Sequence, residues 1–272
     1  MDWNTDTLVR MRAGGAELEG VCVGPSPSEA PTIVMLHEGL GCLGLWRDFP
    51  DRLAQETGYG VFAYSRRGYG HSQPCTLPRP LDYMTREAVE VLPDVLTGIG
   101  LRRGILLGHS DGASIATIYA GSTQDHRIRA VVLMAPHFFT EPMGLAAIAK
   151  AKEAYETGNL RSRLAVYHAD VDNAFRGWNK AWLDPAFVNW NIEDAIAYIR
   201  VPVLAIQGGD DQYGTAAQIR ALEEQLYSPL DVELLDECRH SPFIDQPERT
   251  LAVIAEFVAR LDRIEAVNAQ AA

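Results

Sequence analysis

A serine hydroxyl is a poor nucleophile until a neighbouring base takes its proton. Ser110 is placed where such chemistry could be built. It lies in Gly108-His109-Ser110-Asp111-Gly112, directly after the apolar run Ile105-Leu106-Leu107. This is a Gly-x-Ser-x-Gly pentad in the order strand, sharp turn, helix, where the turn lifts the hydroxyl over the strand end and the flanking glycines let strand and helix approach closely. The expected base is His240, in the loop Glu237-Cys238-Arg239-His240-Ser241-Pro242 after the last strand-like segment. Of the other six histidines, His37 closes the third strand, His109 lies inside the pentad and points away, and His126 falls in a polar loop. A carboxylate that orients the imidazole completes the set. Gly208-Gly209-Asp210-Asp211 offers two aspartates just past the strand at 201–207, and spacing alone does not choose between them. Together these residues imply acyl transfer through a covalent intermediate.

The elements that must carry them follow from periodicity. Strands are expected at 8–12, 17–23, 32–37, 60–65, 104–109, 128–135, 201–207 and 232–236. Helical spacing is found at 45–56, 83–99, 110–119, 216–226 and 248–261, with Val89, Leu92, Val95 and Leu96 on one face of the second. Strands alternating with helices imply an α/β fold, a mostly parallel eight-stranded sheet flanked by helices. The alternation stops between 136 and 200, where two helical stretches (144–167, and 171–199 broken by Pro185) are expected as a helical cap inserted after strand six. The core is then 1–135 and 201–272.

Composition limits the partners. The 272 residues carry a formal net charge of −12, which disfavours nucleic acid. Two arginine pairs, Arg66/Arg67 and Arg102/Arg103, read as solvated side chains at strand edges. The four cysteines share no CxxC spacing and no zinc pattern, so free thiols in a reducing compartment are expected. No apolar run approaches the ~20 residues of a membrane span, and the first residues resemble no secretion signal. A soluble, cytoplasmic protein acting on a small-molecule acyl substrate is expected, without metal or organic cofactor. The sequence is compatible with a homo-oligomer.

These pieces resemble the α/β-hydrolase superfamily over nearly the whole chain. The matching segments are His37-Glu38-Gly39-Leu40-Gly41, Ser65-Arg66-Arg67-Gly68-Tyr69-Gly70-His71-Ser72, the serine pentad, Gly208-Gly209-Asp210-Asp211 and the His240 loop. The resemblance is to the capped, single-domain branch of serine hydrolases, and it implies the order Ser…Asp…His. Counting Gly-x-x-Asp from Gly208 selects Asp211. The resemblance also implies an oxyanion hole made by the Asp111 N–H and a second N–H from the loop after the third strand. Gly39 inherits that second role, with Leu40 as the fallback. Glu38 stands where the family usually has glycine, and must point away, be screened, or act as a protonated donor.

The aromatic residues of the 136–200 insertion include Phe138, Phe139, Tyr167, Phe175, Trp178, Trp182, Phe187 and Trp190. Trp178 and Trp182, four apart, share a helix face. With His137, Phe138 and Glu38 they are the expected substrate contacts. A small to medium carboxylic ester or lactone is the expected substrate. The alternative is a carbon–carbon bond hydrolase of β-diketone type, which needs a further polar group such as His137, Glu38 or His168. Gly39-Leu40-Gly41-Cys42-Leu43-Gly44 also matches a dinucleotide-binding fingerprint, but that reading leaves Ser110, Asp211 and His240 idle. A non-catalytic binding protein on the same fold is the remaining rival.

Overall fold

A computed structural model describes Trp3 and residues 8–271. The run Thr-Ile-Val-Met-Leu makes β3 (Thr32–Leu36), buried on both faces, as are β4 (Gly60–Tyr64), β5 (Gly104–His109), β6 (Ile128–Met134) and β7 (Val203–Gly208). Continuous apolar strands of this kind are what a sheet covered by helices on both sides requires. An opening hairpin, β1 (Leu8–Ala13) and β2 (Ala16–Val23), joins antiparallel to β4, and β8 (Leu230–Leu235) closes the far edge. The order β1-β2-β4-β3-β5-β6-β7-β8 gives eight strands, parallel from β4 to β8. All eight strand positions expected from the sequence are occupied.

Helices α1 (Phe49–Thr57), α2 (Tyr83–Arg86), α3 (Leu92–Gly98), α4 (Asp111–Ser122), α5 (Pro142–Glu156), α6 (Leu160–Leu164), α7 (Val171–Trp182), α8 (Glu193–Ile196), α9 (Ala216–Gln225), α10 (Pro242–Asp245) and α11 (Pro247–Ala271) complete the chain. The long helix expected at 83–99 contains a π turn, Glu87–Val91, between α2 and α3. Pro93 explains it: proline lacks an N–H and its ring clashes with the carbonyl four residues earlier, so the preceding turn widens. The widened turn rotates Val89 out to solvent at 41% exposure while Ala88, Leu92, Val95 and Leu96 stay buried. Val89 therefore does not share the apolar face assigned to it. The helix expected at 45–56 is likewise split. Leu43–Trp46 is a 3-10 turn, Arg47 takes φ +54°, and α1 starts at Phe49.

Between β6 and β7 the chain makes only α5 to α8 and a 3-10 turn, Pro185–Phe187. A single antiparallel bridge, Phe139 with Asn191, closes the base of this insertion. Two apolar cores lie on the two faces of the sheet. One contains Leu106, Leu133, Phe138 and the insertion's aromatic residues, and the other contains Ile105, Leu107, Val132 and the inner face of α11.

Leu106 is fully buried at the centre of the sheet. Leu106→Ala is expected to lower unfolding stability by about 2–5 kcal/mol, through lost burial and the cavity left behind. Urea denaturation with an unchanged slope is the measurement that checks it.

Candidate active site

The site is assembled at the carboxyl edge of the sheet. Ser110 joins β5 to α4 with φ +54° and ψ −116°, outside the conformations that L-residues adopt freely. The two glycines of the pentad account for it. A Cβ on Gly108 would sit 2.2 Å from the Gly112 carbonyl oxygen, and one on Gly112 would sit 2.0 Å from that of Leu36. Ala135 and Glu237, which follow β6 and β8, also have positive φ. Backbone strain thus gathers at the one edge where side chains must be aimed, as it does at functional sites generally.

His240 leaves the loop after β8, and its Nδ1 lies 2.9 Å from both carboxylate oxygens of Asp211. Asp211 is held in turn by the Gln207 Nε2 donor at 2.9 Å and by the N–H groups of Tyr213 (2.8 Å) and Gly214 (3.3 Å). Burial works against ionisation of this carboxyl, but His240 and the Tyr213 N–H outweigh it and draw the pKa down to about 2. A carboxylate facing Nδ1 makes that nitrogen the donor and leaves Nε2 as the proton acceptor. Asp210 is exposed, its N–H donating to the Cys238 carbonyl. Of the two aspartates left open by spacing, Asp211 is therefore the one that meets His240.

Ser110 and His240 line one cavity, together with Glu38, Gly39, Leu40, Asp111, His137, Trp178 and Trp182. Glu141, Gly144, Leu145, Ile148 and Tyr213 complete its wall. Of the expected substrate contacts, His137, Trp178, Trp182 and Glu38 are present. Phe138 is not: it is fully buried in the core, its N–H bonded to Gln218 Oε1, and the expectation for it is corrected. The strand end turns His137 towards the cavity and sends the next side chain into the apolar layer. His168 is also absent. Its ring accepts from the Gly70 N–H and donates to the Leu40 carbonyl, a scaffolding position. Phe175 stacks on Tyr155, and Phe187 on Trp190, so these insertion aromatics serve packing.

The loop after β3 is gripped from below by Arg66. This side chain is 1% exposed, contrary to its reading as a solvated strand-edge arginine. Its Nη2 donates to the carbonyls of His37 (3.1 Å) and Glu38 (2.9 Å). The Glu38 carbonyl also receives His37 Nδ1–H (2.7 Å) and the Gly41 N–H (3.1 Å). Three donors fix that peptide plane. In a trans peptide the N–H points opposite to the carbonyl, so the Gly39 N–H faces away from Arg66. A Cβ on Gly39 would lie 2.1 Å from Trp178 Nε1, and one on Gly41 would lie 2.2 Å from the Glu38 carboxylate. Side chains of this protein already cover the glycine loop, and a 3-10 turn follows it. A dinucleotide pyrophosphate therefore finds no open glycine cradle there.

Sequence reasoning missed the polar links beneath the site. The Tyr83 hydroxyl donates to Asp111, Trp182 Nε1 donates to the Tyr83 hydroxyl at 3.0 Å, and Arg66 lies 3.9 Å from Asp111. His109 Nε2 donates to the His240 carbonyl at 2.6 Å, which ties the pentad to the His240 loop. These residues lie far apart in the chain, and no local pattern signals their pairing. Among the described residues no cluster of three His, Cys, Asp or Glu side chains is placed to hold a metal, and no helix is long and apolar enough to cross a membrane.

A parallel sheet with a strained serine turn and a carboxylate-oriented histidine at its carboxyl edge defines a class of hydrolytic enzyme. The model of the alpha/beta hydrolase family matches residues 33–253, and the chain belongs to that family. A proline iminopeptidase of Lactobacillus helveticus is 22% identical over 86% of this chain and 92% of its own length. Among solved structures, a carboxylesterase of Nitrososphaera gargenis superposes with a TM-score of 0.76 at 16% identity, covering 94% of this chain and 99% of that one. The enol-lactonase of Burkholderia xenovorans LB400 gives 0.69 at 19% identity, covering 92% and 100%. These structural likenesses are likenesses of fold.

His137 carries a pH signature. Burial first, and then the neighbouring His240, pulls its pKa down to about 3. It stays neutral in the folded protein, whereas the unfolded chain binds a proton there below ~6.5. Stability at this residue is therefore full above pH ~6.5 and falls as pH drops towards 3. Denaturation of His137→Gln across this range is expected to show a shallower decline than the wild type.

Proposed function

We propose that the protein is a serine hydrolase that cleaves a small to medium carboxylic ester or lactone through an acyl-enzyme. The observation that carries this reading is the Asp211–His240 pair facing the same cavity as the strained Ser110. Ser110 attacks the substrate carbonyl and His240 Nε2 takes its proton. Asp211 holds the imidazole and stabilises its charged form. His240 then returns the proton to the leaving oxygen. Water, activated by the same nitrogen, repeats the sequence and frees the acid.

The negative charge on the tetrahedral oxygen is met by the N–H groups of Asp111 and Gly39. The Arg66 grip on the Glu38 carbonyl favours Gly39 over Leu40 for the second of these. Residues 136–200 act as a cap whose Trp178 and Trp182, with His137 and Glu38, contact the substrate. Four cysteines that share no CxxC spacing suit a reducing, cytoplasmic setting.

A fluorophosphonate probe is expected to label the wild-type protein at Ser110 and to leave Ser110→Ala unlabelled. With a panel of p-nitrophenyl esters and lactones, Ser110→Ala should lose roughly 10³–10⁶-fold in kcat. Asp211→Asn should lose about 10⁴-fold, because the imidazole takes the wrong tautomer. Asp210→Asn, exposed and remote from His240, should stay within about threefold. Normal folding with neither labelling nor turnover would favour a binding protein.

A further inference from the structure

His137 is a polar side chain at the cavity to which the reaction scheme gives no proton to move. It lines the same wall as Ser110 and His240 while remaining 95% buried, at 5% exposure. Three neighbours fix its ring. His240 lies at 5.5 Å and Trp182 at 5.6 Å between ring centres, and a Cβ on Gly214 would come 3.0 Å from Cε1. Its carbonyl accepts from the Ser114 hydroxyl at 2.6 Å, which anchors the main chain to α4. The imidazole is thus held in one direction.

Among the described residues, neither ring nitrogen of His137 meets a donor or an acceptor. Nor is either sealed inside the protein, as His109 Nδ1 is. Other polar side chains of the wall are already answered: Asp111 by the Tyr83 hydroxyl, Glu141 by Thr215 and Gln218, and His240 by Asp211. Burial and the neighbouring His240 keep His137 neutral, and a neutral imidazole carries one donor and one acceptor. A ligand that covers this ring with carbon alone takes its water and returns no hydrogen bond. A ligand oxygen placed there restores the bond.

The position of the ring tells which part of the substrate meets it. During acylation the ester C–O bond breaks, and the leaving oxygen takes the proton that His240 Nε2 received from Ser110. That oxygen therefore lies within hydrogen-bond reach of the His240 ring, about 3 Å. A second oxygen, bonded to the adjacent His137 ring, then belongs to the same short fragment, the alcohol part.

Resting on the acyl-hydrolase reading, we propose that the substrate is an ester whose alcohol part bears a hydroxyl vicinal to the scissile oxygen, and that His137 selects it by hydrogen bonding to that hydroxyl.

Two isosteric pairs of esters test this. Ethylene glycol monobutyrate against propyl butyrate exchanges hydroxyl for methyl on the alcohol part. Propyl β-hydroxybutyrate against propyl isovalerate makes the same exchange on the acyl part. Hydrolysis is followed by pH-stat titration, and each kcat/KM ratio is divided by the ratio for hydroxide-catalysed hydrolysis, which removes intrinsic reactivity. In the wild type the corrected alcohol-side ratio is expected to favour the hydroxyl by about tenfold, with the acyl-side ratio within about threefold. His137→Phe is expected to bring the alcohol-side ratio down to about unity, and His137→Gln, which keeps a donor and an acceptor, to retain most of it. A folding defect lowers both members of a pair and leaves their ratio intact.

A flat alcohol-side ratio in the wild type overturns the proposal, as does a preference that survives in His137→Phe. A hydroxyl preference found on the acyl side instead also overturns it. All three results leave the hydrolase reading standing, because the esters are cleaved. Folded protein that neither takes the fluorophosphonate at Ser110 nor cleaves any ester overturns that reading, and the proposal with it.

Discussion

Everything at the site depends on how closely β5 and α4 approach around Ser110. The approach is so tight that Gly112 rests on the carbonyl of Leu36 and Gly108 on that of Gly112, with no room for a Cβ at either position. The serine backbone takes up the strain as a positive φ. That strain, of order 1–3 kcal/mol, persists because the surrounding sheet over-determines it. Hydrogen bonds from the Ser110 N–H to Met134 and from Ala113 and Ser114 back to Ser110 lock the turn to β6 and to α4. The hydroxyl is thus carried between a fully buried strand and a helix buried along most of its length.

A second layer of polar groups holds the loops that converge on this turn. Arg66 grips the loop after β3, His109 ties the turn to the loop of His240, and Gln207 with two backbone N–H groups fixes Asp211. The Arg66 guanidinium, the His109 Nε2–H and the Gln207 amide each place buried donors on carbonyls or on a carboxylate. Burying donors of this kind is costly unless they find acceptors. Removing one partner would leave the other stranded in the interior.

Much of this was legible in the sequence, for reasons that can be stated residue by residue. The strands announce themselves because burial on both faces forces unbroken apolar runs, and Ser110 is marked by the glycines its turn requires. His240 is found by its place after the last strand. What was not legible depends on three-dimensional aim. Asp210 and Asp211 are adjacent and chemically identical, and only the turn after β7 sends one outward and the other to the imidazole. Phe138 and His137 are separated in the same way by the direction of the chain leaving β6. Arg66 looks solvated because charge argues for water, yet its partners are carbonyls in the loop after β3. Val89 fits a helical stripe until Pro93 widens the turn before it.

The chain of bonds from Trp182 through Tyr83 to Asp111 joins the inserted helices to the start of α4 through groups that water does not reach. Lifting α7 away from the sheet would strand the Trp182 indole N–H in the interior, and would also break the bonds of Asn173 to Cys75. Across the cavity, α5 buries only Gly144, Ile148 and Tyr155 along its fifteen residues. The chamber over the serine therefore has one stiff side and one shallow side. The shallow side leans on the stiff one, through the Asn179 bond to the Ile148 carbonyl and the stacking of Tyr155 on Phe175.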